Sequence, residues 1–180
     1  IYNKIMKKIL LTLTQWLKTK LALILILTLG LQTANAQQID RLAGPRVGVT
    51  FLTPGFMSEE LETSMITQYG WQWESRFADN GSIAGLVEWV VVVGGMEQQM
   101  FLPSISSLVG IRTGEGMEYA VGPNLSATGI NMVFTIGKNF KSGDLNFPVN
   151  LAFVPNGNVW GEDEESGARI SIMVGFNMGK

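Results

Sequence analysis

The chain has 180 residues, of which 46% are hydrophobic and 16% are charged, and it contains no cysteine and no histidine. The missing cysteines exclude a disulfide framework and thiol chemistry, and the missing histidines exclude Ser-His and Cys-His nucleophile pairs and histidine-ligated zinc. The formal net charge is −2 and no basic patch is visible, so nucleic acid is not an expected partner.

Residues 1–36 follow the order of charged, apolar and small residues that is typical of a secretory signal peptide. Five lysines accompany an apolar run at Leu21–Leu31, and Ala34-Asn35-Ala36 forms a small-x-small cleavage site. The run is shorter than the roughly 20 residues of a membrane-spanning helix, which makes an uncleaved anchor the weaker alternative. We therefore predict export through a Sec-type signal peptide, cleavage after Ala36, and one domain over residues 37–180. Cleavage leaves eight basic against fifteen acidic residues, a net charge of −7.

Breaks rich in Gly, Asn, Asp and Pro divide the exported part into eight runs of alternating character. Each run is about 9–15 residues long, which exceeds the usual 5–6 of soluble strands and suits the 9–11 of a tilted membrane strand. Successive side chains of a strand point to opposite faces, so each run has one large apolar face and one small or polar face. A helical pattern is possible only in Met57–Thr67. The predicted strands are Gly44–Thr53, Tyr69–Ala78, Ser82–Val93, Gln99–Thr113, Met117–Leu125, Gly129–Phe140, Leu145–Pro155 and Ala168–Gly179.

The connections between these runs indicate an up-and-down topology. Short turns that contain Asn80-Gly81, Gly114-Glu115-Gly116 and Ser142-Gly143 alternate with longer connections at Pro54–Gln68 and Asn156–Gly167. Outer-membrane barrels have short periplasmic turns and longer external loops, and both long connections fall on the external side. The pattern predicts an all-β fold, an eight-stranded antiparallel up-and-down transmembrane β-barrel preceded by a cleavable signal peptide.

Aromatic residues in this arrangement form two belts, as membrane barrels show at their two interfaces. Trp73 and Trp89 fit less well, because they lie nearer the middle of their strands. The predicted interface aromatics are Tyr69, Trp71, Phe101 and Phe153 toward the external end, and Phe77, Tyr119, Phe140, Phe147 and Phe176 toward the periplasmic end.

The polar face of the strands carries charges of both signs. Inside a narrow barrel such charges are costly unless they are paired, so we expect them to pair with each other and fill the lumen. In a β-sandwich the same face would be the solvent face and would need no pairing. The predicted lumen charge network consists of Arg46, Glu74, Arg76, Glu88, Arg112, Glu118 and Arg169, with Asn124, Asn131, Asn150 and Asn177 nearby.

The signal peptide, the eight alternating runs and the terminal strand Ile170–Met178 resemble the small bacterial outer-membrane β-barrel families of the OmpA/OmpX-like eight-stranded type. Tyr119–Ser126 (YAVGPNLS) and Leu145–Phe153 (LNFPVNLAF) look like segments of uncharacterised outer-membrane barrels of the same size. The resemblance implies residence in the bacterial outer membrane, contact with its lipid and lipopolysaccharide, and insertion by the outer-membrane assembly machinery.

No enzyme activity, cofactor or metal is expected. A carboxylate-pair hydrolase built from Glu74, Glu88 and Glu118 remains a formal alternative to a structural network. The acidic run Glu162–Glu165 is either a divalent-cation site or a solvated loop tip. The function that these observations favour is a small closed barrel with a structural or surface-interaction role and an unknown surface partner. The alternatives are a soluble periplasmic β-barrel or sandwich that binds an apolar ligand, and a narrow outer-membrane channel.

Overall fold

The computed structural model describes residues 43–80, 82–143, 145–161 and 163–178, so the predicted signal peptide lies outside the described part. Nine strand segments and two short helical turns make up this part. The helical turns are α1 at Phe56–Glu60 and a 3₁₀ turn at Met96–Gln98. The strands are β1 (Gly44–Leu52), β2 (Met65–Asp79), β3 (Ile83–Gly94), β4 (Leu102–Thr113), β5 (Met117–Ser126), β6 (Gly129–Ser142), β7 (Leu145–Val154), β8 (Arg169–Gly175) and β9 (Asn177–Met178).

The strands form one closed antiparallel sheet. Neighbours in the chain pair from β1 to β8, and β1 also pairs with β8, which closes the ring. The two-residue β9 pairs with Leu145 and Asn146 of β7 and so continues the line of β8 beyond Phe176. The eight-stranded up-and-down barrel is therefore confirmed, and the sandwich alternative is wrong because a closed ring has no second sheet. Among the described residues, no helix is long and apolar enough to cross a membrane.

The stagger of the strands sets the width of the barrel. Following the paired residues from Gly48 of β1 through β2 leads to Gly94 of β3. Following them the other way, through β8, β7, β6, β5 and β4, leads to Ala84 of the same strand. The two positions are 94 − 84 = 10 residues apart, a shear number of 10. For eight strands this corresponds to a tilt of about 40° and a radius of about 8 Å, an interior that side chains can fill.

The two ends of the barrel differ. At the end that we call the turn end, strands are joined by residues 80–82, 114–116 and 143–144. At the opposite loop end, the connections are residues 53–64, 95–101, 127–128 and 155–168. The loop end is well packed, because the buried side chains of Leu52, Met57, Leu61 and Ile66 form a small apolar cluster there. Backbone bonds also join the two long loops, from Phe56 N to Glu165 O at 3.0 Å and from Thr53 N to Ala168 O at 3.0 Å.

The boundaries of most strands lie within three residues of the sequence prediction. The main exception is β2, which starts at Met65 instead of Tyr69 and contains a bulge between Arg76 and Ala78. The helical pattern predicted in Met57–Thr67 is realised only as the single turn of α1, which begins one residue earlier and ends at Glu60. The bulge turns Phe77 outward, and its ring covers Gly85, where an added Cβ would lie 2.7 Å from the ring.

Candidate functional site

The barrel interior contains the predicted charges. Alternation along each tilted strand directs these side chains inward, and their short or polar neighbours leave room for them. Arg76 is half-buried near the turn end, whereas the other six are buried. The six buried charges are Arg46, Glu74, Glu88, Arg112, Glu118 and Arg169.

Arg112 is the centre of the network. Its guanidinium holds Glu74 in a two-pronged arrangement, with NH1 donating to Oε1 at 2.8 Å and NH2 donating to Oε2. The same guanidinium reaches Glu118 Oε2, from Nε at 2.9 Å and from NH2 at 2.5 Å. Glu88 lies farther away, with its Oε1 4.0 Å from NH2. Bidentate contacts of this kind are the strongest side-chain hydrogen bonds, so Arg112 ties β2, β4 and β5 together across the lumen.

A second arginine joins the network through an amide. Arg46 Nε donates to Gln72 Oε1 at 2.9 Å, and Gln72 Nε2 donates to Glu88 Oε1 at 3.0 Å. Arg46 NH1 also donates to Asn177 Oδ1 at 2.8 Å, and this hydrogen bond joins β1 to β9. Gln72 is thus the bridge between Arg46 and the acidic residues. The sequence prediction missed it, although its inward position between Gly70 and Glu74 on β2 was a usable signal.

The three buried glutamates raise the question of a metal. One oxygen from each of Glu74, Glu88 and Glu118 lies within 4.8 Å of the others. Arg112 already contacts this group with salt bridges to all three. The guanidinium therefore takes the place that a bound cation would need, and the group is built as a structural ion cluster. Carboxylates that are committed to hydrogen bonds in this way are poorly placed for the acid-base chemistry of a hydrolase.

The charge network divides the lumen into two spaces. On its loop-end side lies an internal cavity of about 80 Å³, with Arg46 and Glu88 among its lining residues. On the turn-end side lies an open recess of about 350 Å³, with Arg76 and Arg112 among its lining residues. No described residue lines both spaces. The network lies between the cavity and the recess, and we call it the plug.

Arg169 lies apart from this plug. It lines the loop-end cavity and is buried, and its NH2 donates to Asn124 Oδ1 at 3.0 Å. Within the described part of the chain it has no carboxylate within 4.0 Å, and its buried Nε has no hydrogen-bond partner. The pairing of Arg169 with a glutamate, expected from the sequence, is thus absent from the described residues, because the stagger of β8 places it well above the acidic residues.

The asparagines predicted near the charges have different roles. Asn124 Nδ2 donates to Ser104 Oγ at 2.6 Å and to Ser106 Oγ at 2.9 Å, so it organises the cavity wall beside Arg169. Asn150 Nδ2 donates to Glu118 Oε1 at 3.3 Å. Asn131 lies opposite Asn124 in the β5–β6 ladder, and its buried Nδ2 has no partner. Asn177 Oδ1 accepts the hydrogen bond from Arg46 NH1.

The outer face carries the predicted interface aromatics. At the turn end, Phe77, Tyr119, Phe140 and Phe147 each lie two residues from the end of a strand, and Phe176 lies between β8 and β9. All of the predicted aromatics are exposed on the barrel exterior, between 40% for Phe147 and 72% for Phe101.

The aromatic residues assigned to the loop end vary more in their position along the barrel axis. Phe101 directly precedes β4 and Phe153 is the second-last residue of β7, both at the loop end. Since β2 starts at Met65, Tyr69 and Trp71 lie four and six residues inside that strand. The turn-end aromatics thus form a compact belt, while those toward the loop end extend into the middle of the wall.

The acidic run in the last loop contributes little to the site. Asp163 and Glu164 are exposed, and Glu165 accepts a hydrogen bond from Asn156 Nδ2 within the same loop. Glu162 lies outside the described residues.

No family model matches the chain, and no curated protein matches it at a significant level.

Proposed function

We propose that this chain is a small integral protein of the bacterial outer membrane, exported through the signal peptide, with its lumen closed by the Arg/Glu/Asn network. Its role is to support the membrane structure or to interact with a partner at the cell surface. It neither catalyses a reaction nor transports solutes as a porin does. Lipid and lipopolysaccharide would surround its outer face, and the outer-membrane assembly machinery would insert it.

The observation that carries the proposal is the inverted distribution of polarity. Large apolar side chains are exposed around the whole barrel, while six charged side chains of its strands are buried inside. Lys138 is the only charged residue at an outward position among the described strand residues, and its Nζ lies 5.7 Å from the centre of the Phe140 ring near the turn end. A water-soluble monomer rarely exposes an apolar patch larger than a few hundred Å², so this surface favours lipid as its surroundings.

The dimensions of the barrel support the same proposal. Strands β5 and β7 have 10 residues each. A 10-residue strand tilted by about 40° rises about 25 Å along the barrel axis, which is the height of the apolar band of outer-membrane barrels. The compact aromatic belt at the turn end, with Lys138 beside it, is the composition expected at a membrane–water interface.

The plug supports a closed lumen. A narrow channel would need a continuous path, whereas the cavity and the recess are separated by the contacts of Arg112 and Arg46. An eight-stranded barrel has just enough interior for side chains, so the network leaves little space for solutes.

One observation favours the alternative of a soluble barrel that binds an apolar ligand. Leu108, Ala120, Val133 and Val154 form a buried apolar cluster, and three of them line the loop-end cavity. Such a barrel would place a greasy ligand inside and keep a polar exterior, as lipocalins do. The exterior of this chain has the opposite character, so we rank this function second.

Cell fractionation tests the location. We expect the full chain, expressed in a Gram-negative host, to be processed, to sediment with the outer membrane and to resist extraction by alkaline carbonate. After mild detergent extraction the unheated barrel should migrate differently on a gel from the boiled sample. Mature protein that is soluble in the periplasm without detergent, at the level of a periplasmic marker enzyme, would contradict the proposal.

A further inference from the structure

The lumen contains one more positive than negative charge. Inside the barrel there are four arginines and three glutamates, and the exposed residues Asp79 and Lys141 at the rim of the turn-end recess add one charge of each sign. The three glutamates and Arg112 share the plug, Arg76 lies beside Glu74 at 3.6 Å, and Arg46 reaches Glu88 through Gln72. The excess charge therefore lies at Arg169. A buried, unpaired cation is expensive, which favours a counter-ion at this position.

The surroundings of Arg169 provide donors and no competing acid. Arg169 is only 8% exposed and lines the cavity, and its Nε is buried and has no hydrogen-bond partner. Ser104 and Ser106 line the same cavity and accept hydrogen bonds from Asn124 Nδ2. Because each of these oxygens already accepts, each hydroxyl can direct its own proton into the cavity. Arg169, Ser104 and Ser106 thus line one space and bring a guanidinium and two hydroxyls to its wall.

From this arrangement we propose that the loop-end cavity is a binding site for a small monovalent anion, held by the guanidinium of Arg169 and by the hydroxyls of Ser104 and Ser106. Arg169 supplies the single charge that a monovalent anion would balance. The apolar wall of Leu108, Val133 and Val154 suits the methyl group of a short carboxylate. The proposal concerns the interior alone and does not depend on where the barrel resides.

The volume of the cavity limits the size of the anion. A water molecule needs roughly 10–15 Å³ of such space, so the cavity of about 80 Å³ accommodates a halide or acetate together with a few waters. A phosphorylated sugar or a lipid headgroup does not fit without movement of the strands. The shared chemistry is a single negative charge on a compact ion, and acetate and bromide are the probes that separate a carboxylate preference from a halide preference.

The experiment is an anion titration of the folded barrel in detergent micelles, followed by NMR. Sodium acetate or sodium bromide replaces sodium gluconate, whose anion is too large for the cavity, at constant ionic strength. We expect the Arg169 Nε–H resonance and the backbone amides of Ser104, Ser106 and Asn124 to shift saturably. If acetate binds more tightly than bromide, the site prefers carboxylates, and the reverse order assigns it to halides. Shifts that stay linear for both salts would overturn the proposal.

Three variants make the result specific. Arg169→Gln removes the charge and should weaken binding by about ten-fold or more, which equals at least about 1.4 kcal/mol. Lys141→Gln removes an exposed positive charge near the turn end and should leave the titration unchanged. Should Arg169→Gln not fold, Ala152→Leu fills the cavity and removes no charge, and it should also abolish saturation. Saturable binding that persists in Ala152→Leu, or that is equal in Arg169→Gln and the parent, would contradict the proposal.

Discussion

Glu74 and Glu88 are direct partners in the ladder between β2 and β3, so two buried carboxylates face each other across neighbouring strands. Like charges at opposed positions destabilise a sheet. Glu74 is compensated by the bidentate contact of Arg112, whereas Glu88 lies 4.0 Å from that guanidinium and leaves its Oε2 without a partner.

This asymmetry predicts unequal effects of two isosteric substitutions. Glu74→Gln should lower the free energy of unfolding by about 3–5 kcal/mol, because it leaves Arg112 without its main partner. Glu88→Gln should lower it by less than about 1 kcal/mol, because it also removes the opposed charge. Urea unfolding of the refolded barrel measures both. Equal losses in the two variants would show that Glu88 is as well paired as Glu74.

The same network predicts a difference between two arginines. Arg112→Met should lower the free energy of unfolding by about 3–5 kcal/mol, since it leaves buried carboxylates without a positively charged partner. Arg76→Met should cost about 0–1 kcal/mol, because Arg76 is half-exposed and its contacts to Glu74 and Asp79 are both 3.6 Å long. The free energies of unfolding of the two variants, measured under identical conditions, provide the comparison. A large loss for Arg76→Met would place the centre of the network at the turn end instead.

The outer face predicts a dependence on depth. Leu151 lies well inside β7, whereas Leu145 is its first residue at the turn end. In lipid vesicles, Leu151→Arg should destabilise the barrel by about 2–4 kcal/mol, and Leu145→Arg by about 0–1 kcal/mol. Refolding titrations into vesicles measure both values. If Leu151→Arg were no more costly than Leu145→Arg, lipid would not surround this face.

The plug predicts the electrical behaviour of the barrel. Reconstituted in planar bilayers, the protein should show no stable, long-lived open current, because the charge network lies between the cavity and the recess. The variant Glu88→Gln keeps the contacts of Arg112 with Glu74 and Glu118 and is expected to remain closed. Steady single-channel openings of the parent protein would favour the narrow channel.

The hydrogen bonds of Glu97 predict a pH-dependent contact at the loop end. The backbone N–H of Thr67, at 2.5 Å, and its hydroxyl, at 2.6 Å, donate to the Glu97 carboxylate. The hydroxyl bond, followed by the backbone bonds, lowers the pKa of Glu97 below its ordinary 4.5. Because the folded state favours the ionised carboxylate, this contact stabilises the barrel above pH 4.5 and is lost as the pH falls through the lowered pKa.

NMR titration of the Glu97 side-chain carboxyl tests this effect directly. We expect its midpoint below the ordinary value of 4.5. The control variant Thr67→Val removes the hydroxyl and should move the Glu97 midpoint upward. A midpoint for Glu97 that is the same in the parent protein and in Thr67→Val would rule out the contact.

The sequence predicted the strands and faces well because both depend on local patterns. Period-two alternation identifies which side of a strand is apolar, and turn residues mark where strands end, so the inward positions of Glu74 and Arg112 follow from counting. The start of β2 was missed because Met65 and Thr67 lie within the stretch that has a helical pattern. The position of Arg169 relative to the glutamates depends on the shear of the whole barrel, which no local segment encodes.

The pairing of β1 with β8 also has a kinetic consequence. Its partners, such as Arg46 and Gly175, come from opposite ends of the described chain, so this ladder closes the largest loop in the fold. Contacts of such separation form late, since their loop-closure entropy is lost before they contribute any stability. The hydrogen bonds between Thr53 and Ala168 lie just beyond the loop end of this ladder, where peeling of the two strands would begin. We therefore expect closure of the ring to be the slow step of folding, and we expect these bonds to prolong the lifetime of the finished barrel.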